Sequence, residues 1–162
     1  MAVIGIGNRW RRDDAVGFEV AARLRARGID ARDAQGEVAE LIDLWGGAGT
    51  AIVIDAVTSG GVPGTVSRIE AGESRLPSGL LSASTHALGI AEAVELARTL
   101  GRLPERLVVL AIEGADFTAG EGLTPAVAAA VDEVVEAVVA ELTRLTPAAP
   151  RGWRARPPRA GA

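Results

Sequence analysis

The chain has 162 residues, 48% of them apolar but only 3% aromatic, with no cysteine and a formal net charge of −4. That length supports one full core, and a core of Val, Leu, Ile and Ala suits an α/β layer fold. The lack of cysteine excludes disulfides, zinc–thiolate sites and a cysteine nucleophile. Four arginines, Arg151, Arg154, Arg156 and Arg159, lie in a tail with no acid, so the body is more acidic than the net charge and argues against a nucleic-acid partner.

In chain order, Ala2 to Ile6 is an apolar run of the length of a buried parallel strand. It enters a turn, Gly5-Ile6-Gly7-Asn8, whose glycines suit a sharp exit from the sheet, and ends in adjacent carboxylates, Asp13 and Asp14, at the mouth of a helix. Val16, Val20 and Leu24 give that helix an apolar face, and Gly28 stops it. Ile29 to Ala34 reads as a short strand near an edge. Glu37 to Trp45 places Val38, Leu41, Ile42 and Trp45 on one helical face. Thr50 to Asp55 is a strand closed by a carboxylate, Ser59 to Gly64 a loop and Thr65 to Glu70 a further strand. After an irregular stretch, Thr85-His86 introduces a helix that runs to Leu100. Leu107 to Ile112 is the most apolar strand and ends in Glu113-Gly114. Thr124-Pro125 opens a long last helix with Val127, Val131, Val134, Val135, Val138, Leu142 and Leu145 down one side.

This alternation predicts a three-layer α/β/α sandwich, a mostly parallel twisted sheet of about five strands with helices on both faces, over residues 1–146. Residues 147–162, rich in proline and arginine, are expected to be a disordered tail. No stretch approaches the roughly 20 apolar residues of a membrane span. The chain opens on a strand rather than a signal-peptide pattern, so a cytoplasmic location without membrane contact is expected.

Ligands of open parallel sheets gather beyond the carboxyl ends of the strands, where strand order reverses. Asp14, Asp55, His86 and Glu113 all fall near such ends. Each also has a plain structural reading. Asp13 is expected to cap its helix, and Asp14 to be either a first-turn acid stabilised by the helix dipole or a functional group. Asp55 after Ile-Val-Ile needs a partner or a metal. His86, the sole histidine, is either structural or a neutral ligand at a helix start. Glu113 and Asp116 are open to capping or turning their loop. The glycine turn could also serve a nucleotide-binding module, but Trp10 stands where G-x-G-x-x-G has its third glycine, and two carboxylates would face the phosphate.

Taken together, Gly5-Ile6-Gly7-Asn8 with Asp13-Asp14-Ala15-Val16-Gly17, Asp55-Ala56-Val57 with Gly60, Ser84-Thr85-His86-Ala87-Leu88-Gly89, Ile112-Glu113 and Gly122-Leu123-Thr124-Pro125 resemble the hydrogenase maturation endopeptidases. The resemblance covers residues 1 to about 145. It implies an endopeptidase that removes the C-terminal extension of a nickel-iron hydrogenase large-subunit precursor after nickel insertion, with the bound nickel as recognition handle. It implies Asp14, Asp55 and His86 as metal-binding residues, the first two also catalytic, with Asn8, Asp13 and Glu113 in support. The nickel is brought by the precursor, and no organic cofactor is expected. That family often has glutamate at the place of Asp14, glycine at Ala15 and proline at Gly114. Two carboxylates and an imidazole suit a borderline divalent ion. No Ser-His-Asp set competes for the sole histidine. A metallohydrolase with its own bound ion is the further alternative.

Overall fold

The structure, a computed structural model, describes residues 1–71 and 85–145, with the side chains of residues 71, 85–88 and 145 left aside. Five strands, β1 (Ala2–Ile6), β2 (Arg32–Ala34), β3 (Thr50–Val57), β4 (Val66–Ala71) and β5 (Arg106–Glu113), form one sheet in the order β2-β1-β3-β5-β4. Only β4 runs antiparallel, paired with β5 from Val66 opposite Ile112 to Ala71 opposite Leu107. Among the described residues there are four helices, α1 (Val16–Ala26), α2 (Val38–Trp45), α3 (Thr85–Thr99) and α4 (Pro125–Leu145), with a 3₁₀ turn at Arg12–Ala15 ahead of α1.

The apolar runs of β1, β3 and β5 are buried on both faces because helices cover both. Alternate residues point to opposite sides. Ile52, Ile54, Val108, Leu110 and Ile112 meet Val16, Val20 and Leu24 of α1 and Val127, Val131, Val134 and Val138 of α4. Ala51, Val53, Leu107 and Val109 meet Leu41, Ile42 and Trp45 of α2 and Ile90, Val94 and Ala97 of α3. This is the expected three-layer arrangement. The expected tail, residues 147–162, and the irregular stretch before Thr85 lie outside the described residues.

Two local expectations change. Asp55 does not close β3, which runs on to Val57; it lies within the paired strand, opposite Ala111 of β5. Gly5 and Gly7 are not among the glycines with positive φ. Their missing side chains serve close packing instead. A Cβ on Gly5 would stand 2.1 Å from the carbonyl oxygen of Gly17, and one on Gly7 2.0 Å from that of Asp14. Gly17 in turn lies under the carbonyl oxygens of Ile6 and Ile54. The three glycines let α1 and its leading turn settle directly on the carboxyl ends of β1 and β3, the two strands between which the strand order reverses.

Candidate active site at the carboxyl edge of the sheet

Four carboxylates are buried around this edge: Asp13, Asp14, Asp55 and Glu113. Burying a carboxylate costs several kcal/mol unless it is compensated, so each needs a reason to be there. For two of them the reason is explicit. Asp13 accepts from the amides of Ala115 (2.9 Å), Asp116 (3.0 Å) and Thr124 (2.6 Å) and from the Thr124 hydroxyl (2.9 Å). It therefore fastens the loop after β5 to the turn after β1. It does not cap its own helix: the N-cap of α1 is Ala15, and no side-chain cap bond is made there. The expected structural role holds, but through a distant partner.

Glu113 does the same for the loop after β3. One oxygen accepts from the amides of Ser59 (2.8 Å), Gly60 (2.9 Å) and Gly61 (3.1 Å), the other from the Ser59 hydroxyl (2.6 Å). Asn8 organises the first turn: its amide donates to the Asp14 carbonyl, its carbonyl accepts from Arg11, and its side chain accepts from the Trp10 amide. The sequence shows Thr124 only as the start of the last helix and gives Ser59 and Gly120 no role beyond their loops. Gly120 exchanges backbone bonds with Trp10 and Arg12, and Arg12 adopts φ +46°. That left-handed conformation is costly for a side chain and survives only because its surroundings hold it.

Asp14 and Asp55 belong to neither clasp. Asp14 sits in the 3₁₀ turn, buried, with Arg11 3.7 Å from its carboxylate. Asp55, equally buried, accepts from the amide of Ala56 (2.9 Å). The turn bearing Asp14 packs on β3, so both carboxylates stand where β1 and β3 part. His86 lies in the first turn of α3, and its side chain is outside the described residues. Among the described residues no group of three metal-ligating side chains forms, so the joint site of Asp14, Asp55 and His86 stays an expectation. A separate groove of about 620 Å³ between α1 and the start of α4 is lined by Arg9, Phe18, Glu121 and Leu123, among others, and by neither of the two carboxylates.

Gly114 also has a local reason. Its amide donates to the Val57 carbonyl at 2.8 Å, and a Cβ there would lie 2.4 Å from the Phe117 ring. A proline would lose the bond and strike the ring. The glycine turn after β1 is likewise occupied by the chain's own backbone, with Gly17 and Asp14 carbonyls against Gly5 and Gly7. Carbonyl oxygens and carboxylates are the wrong chemistry for a pyrophosphate, which disfavours the nucleotide-binding alternative.

The fold and site define an α/β protein with a mostly parallel sheet and two buried carboxylates at its switch point, and comparison with known proteins gives its family. A family model described as HycI, hydrogenase maturation protease, matches residues 23–141. The chain is 27% identical over 147 residues to the hydrogenase 2 maturation protease of Escherichia coli K12, covering 86% of this chain and 88% of that protein. The solved hydrogenase maturating endopeptidase HybD of E. coli superposes with a TM-score of 0.78 at 26% identity, covering 89% of this chain and 93% of that one. The [NiFe] hydrogenase maturation protease HybD of Thermococcus kodakarensis, 22% identical, shares the fold at a TM-score of 0.72, over 88% and 99% of the two chains. The chain belongs to the hydrogenase maturation protease family, whose members are peptide-bond hydrolases. Among the described residues no helix is long and apolar enough to cross a membrane.

Proposed function

We propose that this protein is the endopeptidase that trims the C-terminal extension of a nickel-iron hydrogenase large-subunit precursor, and that it recognises the nickel already held by that substrate. The observation that carries the reading is the pair of buried carboxylates, Asp14 and Asp55, at the strand-order reversal, outside both loop clasps. With the His86 imidazole they make a donor set of two oxygens and one nitrogen, which suits nickel or zinc and leaves positions for ligands the substrate keeps. As the metal comes with the precursor, it is part of the substrate and not a resident cofactor.

Contact with that metal sets the scissile bond in register against the two carboxylates. A carboxylate then takes a proton from the attacking water; the water oxygen bonds to the carbonyl carbon, the C–N bond breaks, and the proton leaves with the new amine. Nickel supplies Lewis-acid stabilisation of the developing charge when present. Cutting is thus conditional on metal loading, a checkpoint in maturation that suits a cytoplasmic enzyme. The experiment is incubation of the full chain with precursor prepared with and without nickel. Cleavage of the nickel-loaded form alone is expected; equal cleavage of both overturns the handle, and cleavage of neither overturns the activity.

A further inference from the structure

The turn after β1 carries three arginines, and they are directed differently. Arg9 lies over the Phe18 ring, 5.7 Å from its centroid, and Arg12 faces Asp116, with Nε 3.2 Å from the carboxylate. Arg11 alone of the three faces a carboxylate at the strand-order reversal: its Nη1 stands 3.7 Å from Oδ2 of Asp14, three residues on. The backbone fixes this placement. The Arg11 amide donates to the Asn8 carbonyl at 3.1 Å, its carbonyl accepts from the Asp14 amide at 3.0 Å, and the residue bridges to Gly120 in parallel.

The two partners differ in their surroundings. The Asp14 side chain is 2% exposed and the Arg11 side chain 40%. A buried carboxylate needs a nearby positive charge or donors to offset lost hydration, and Arg11 sets its charge there. The guanidinium itself is half in water, held by the Asp14 carboxylate and by a 3.3 Å bond from Nε to the Phe117 carbonyl. It can turn outward without any change of backbone, exchanging that bond for water at small net cost. A dication bonded to the same oxygen at about 2.0–2.2 Å would stand about 6 Å or less from Nη1, where like charges repel strongly. Metal and guanidinium therefore compete for Asp14.

We propose that Arg11 is a stand-in cation for the metal at Asp14, a positioning residue that sets the site against free divalent ions and gives way to nickel presented by the precursor. This rests on the reading of Asp14 as a ligand for the substrate's nickel, and adds how the site tells presented nickel from a free ion. A free ion must displace Arg11 through its own bonds to the site. Nickel on a docked precursor meets the site at high effective concentration, with the rest of the contact surface contributing to the displacement.

The test titrates the full chain with nickel alone in a calorimeter, comparing the wild type with Arg11→Ala, Arg11→Gln and Arg11→Lys. Arg11→Ala and Arg11→Gln are expected to bind nickel at least about tenfold more tightly than the wild type, and Arg11→Lys, which keeps the charge, to stay within about threefold of it. Adding Asp14→Ala to Arg11→Ala is expected to abolish the gain, which locates the ion at Asp14. Trimming of nickel-loaded precursor by Arg11→Ala is expected to be inhibited by added nickel at roughly a tenth of the concentration that inhibits the wild type, a change that a merely structural arginine would not produce. Nickel affinity in Arg11→Ala and Arg11→Gln equal to or below that of the wild type overturns the proposal, as does a gain that survives the added Asp14→Ala. If Arg11→Ala does not fold, Arg11→Gln, which keeps most of the side chain, decides. Tighter nickel binding by the variants with no cleavage of precursor by any form removes the peptidase reading and leaves the stand-in. Cleavage by the wild type with unchanged nickel affinity in the variants removes the stand-in alone.

Discussion

Replacing Asp13 by asparagine changes no volume and reverses the chemistry of one side-chain atom. In the wild type, one carboxylate oxygen takes three donors, from Ala115, Asp116 and the Thr124 hydroxyl, and the other takes the Thr124 amide. The asparagine NH₂ does least harm facing the Thr124 amide, where it sets donor against donor and leaves three bonds to a now neutral acceptor. A hydrogen bond to a charged group contributes about 1.5–3 kcal/mol, and a buried donor left unmet costs about 1–3 kcal/mol. Asp13→Asn should therefore cost about 3 kcal/mol, and Asp13→Ala, which removes all four bonds, about 4 kcal/mol or more. Urea denaturation followed by circular dichroism measures both: the midpoint should fall while the slope stays constant. Losses below about 1 kcal/mol in both variants would refute the reasoning, since they would mean that water satisfies the loop amides equally well.

Gly5→Ala and Gly17→Ala each put a methyl about 2 Å from backbone carbonyl oxygen, and should cost about 3 kcal/mol or more in the same assay unless α1 can move away. Gly114→Pro should destabilise by a similar amount through the lost bond to Val57 and the clash with Phe117; a stable variant contradicts the packing found there. Stability below pH 4.5 depends partly on Glu141, whose pKa the hydrogen bond from Arg68 holds below its ordinary value of 4.5, with Arg106 and Arg144 adding to it against burial. A depressed folded pKa means the contribution is complete above 4.5 and is lost as pH falls through the folded value. Glu141→Gln should show a shallower acid decline than the wild type, and parallel curves would contradict this. Nickel affinity of the site should weaken below pH about 6.5, where a ligating His86 protonates; pH-independent binding argues that the imidazole is not a ligand.

The strands and helices were legible because their signals are local. The period of Val16, Val20 and Leu24, the run Ala51 to Ile54 and the Thr124-Pro125 start each specify an element without reference to the rest of the chain. The β3 boundary was less so, because Asp55 reads as a stop although β5 pairs with it and carries the strand to Val57. A structural role for Asp13 and Glu113 could be read, but not their partners: the Ala115 amide lies 102 residues from Asp13 and the Ser59 amide 54 from Glu113, and only the folded sheet brings them together. The glycines of the first motif illustrate a different limit. Sequence marks them as places where a side chain is excluded, but not whether a turn, a phosphate or, as here, a helix backbone excludes it.

The central claim, that Asp14, Asp55 and His86 act together on a metal presented by the substrate, is tested most directly by trimming of nickel-loaded precursor with Asp14→Ala, Asp55→Ala and His86→Ala, each first shown to be folded. The account predicts that the precursor stays uncut, with a loss of at least about a hundredfold in rate for each variant. Normal trimming by all three would contradict it.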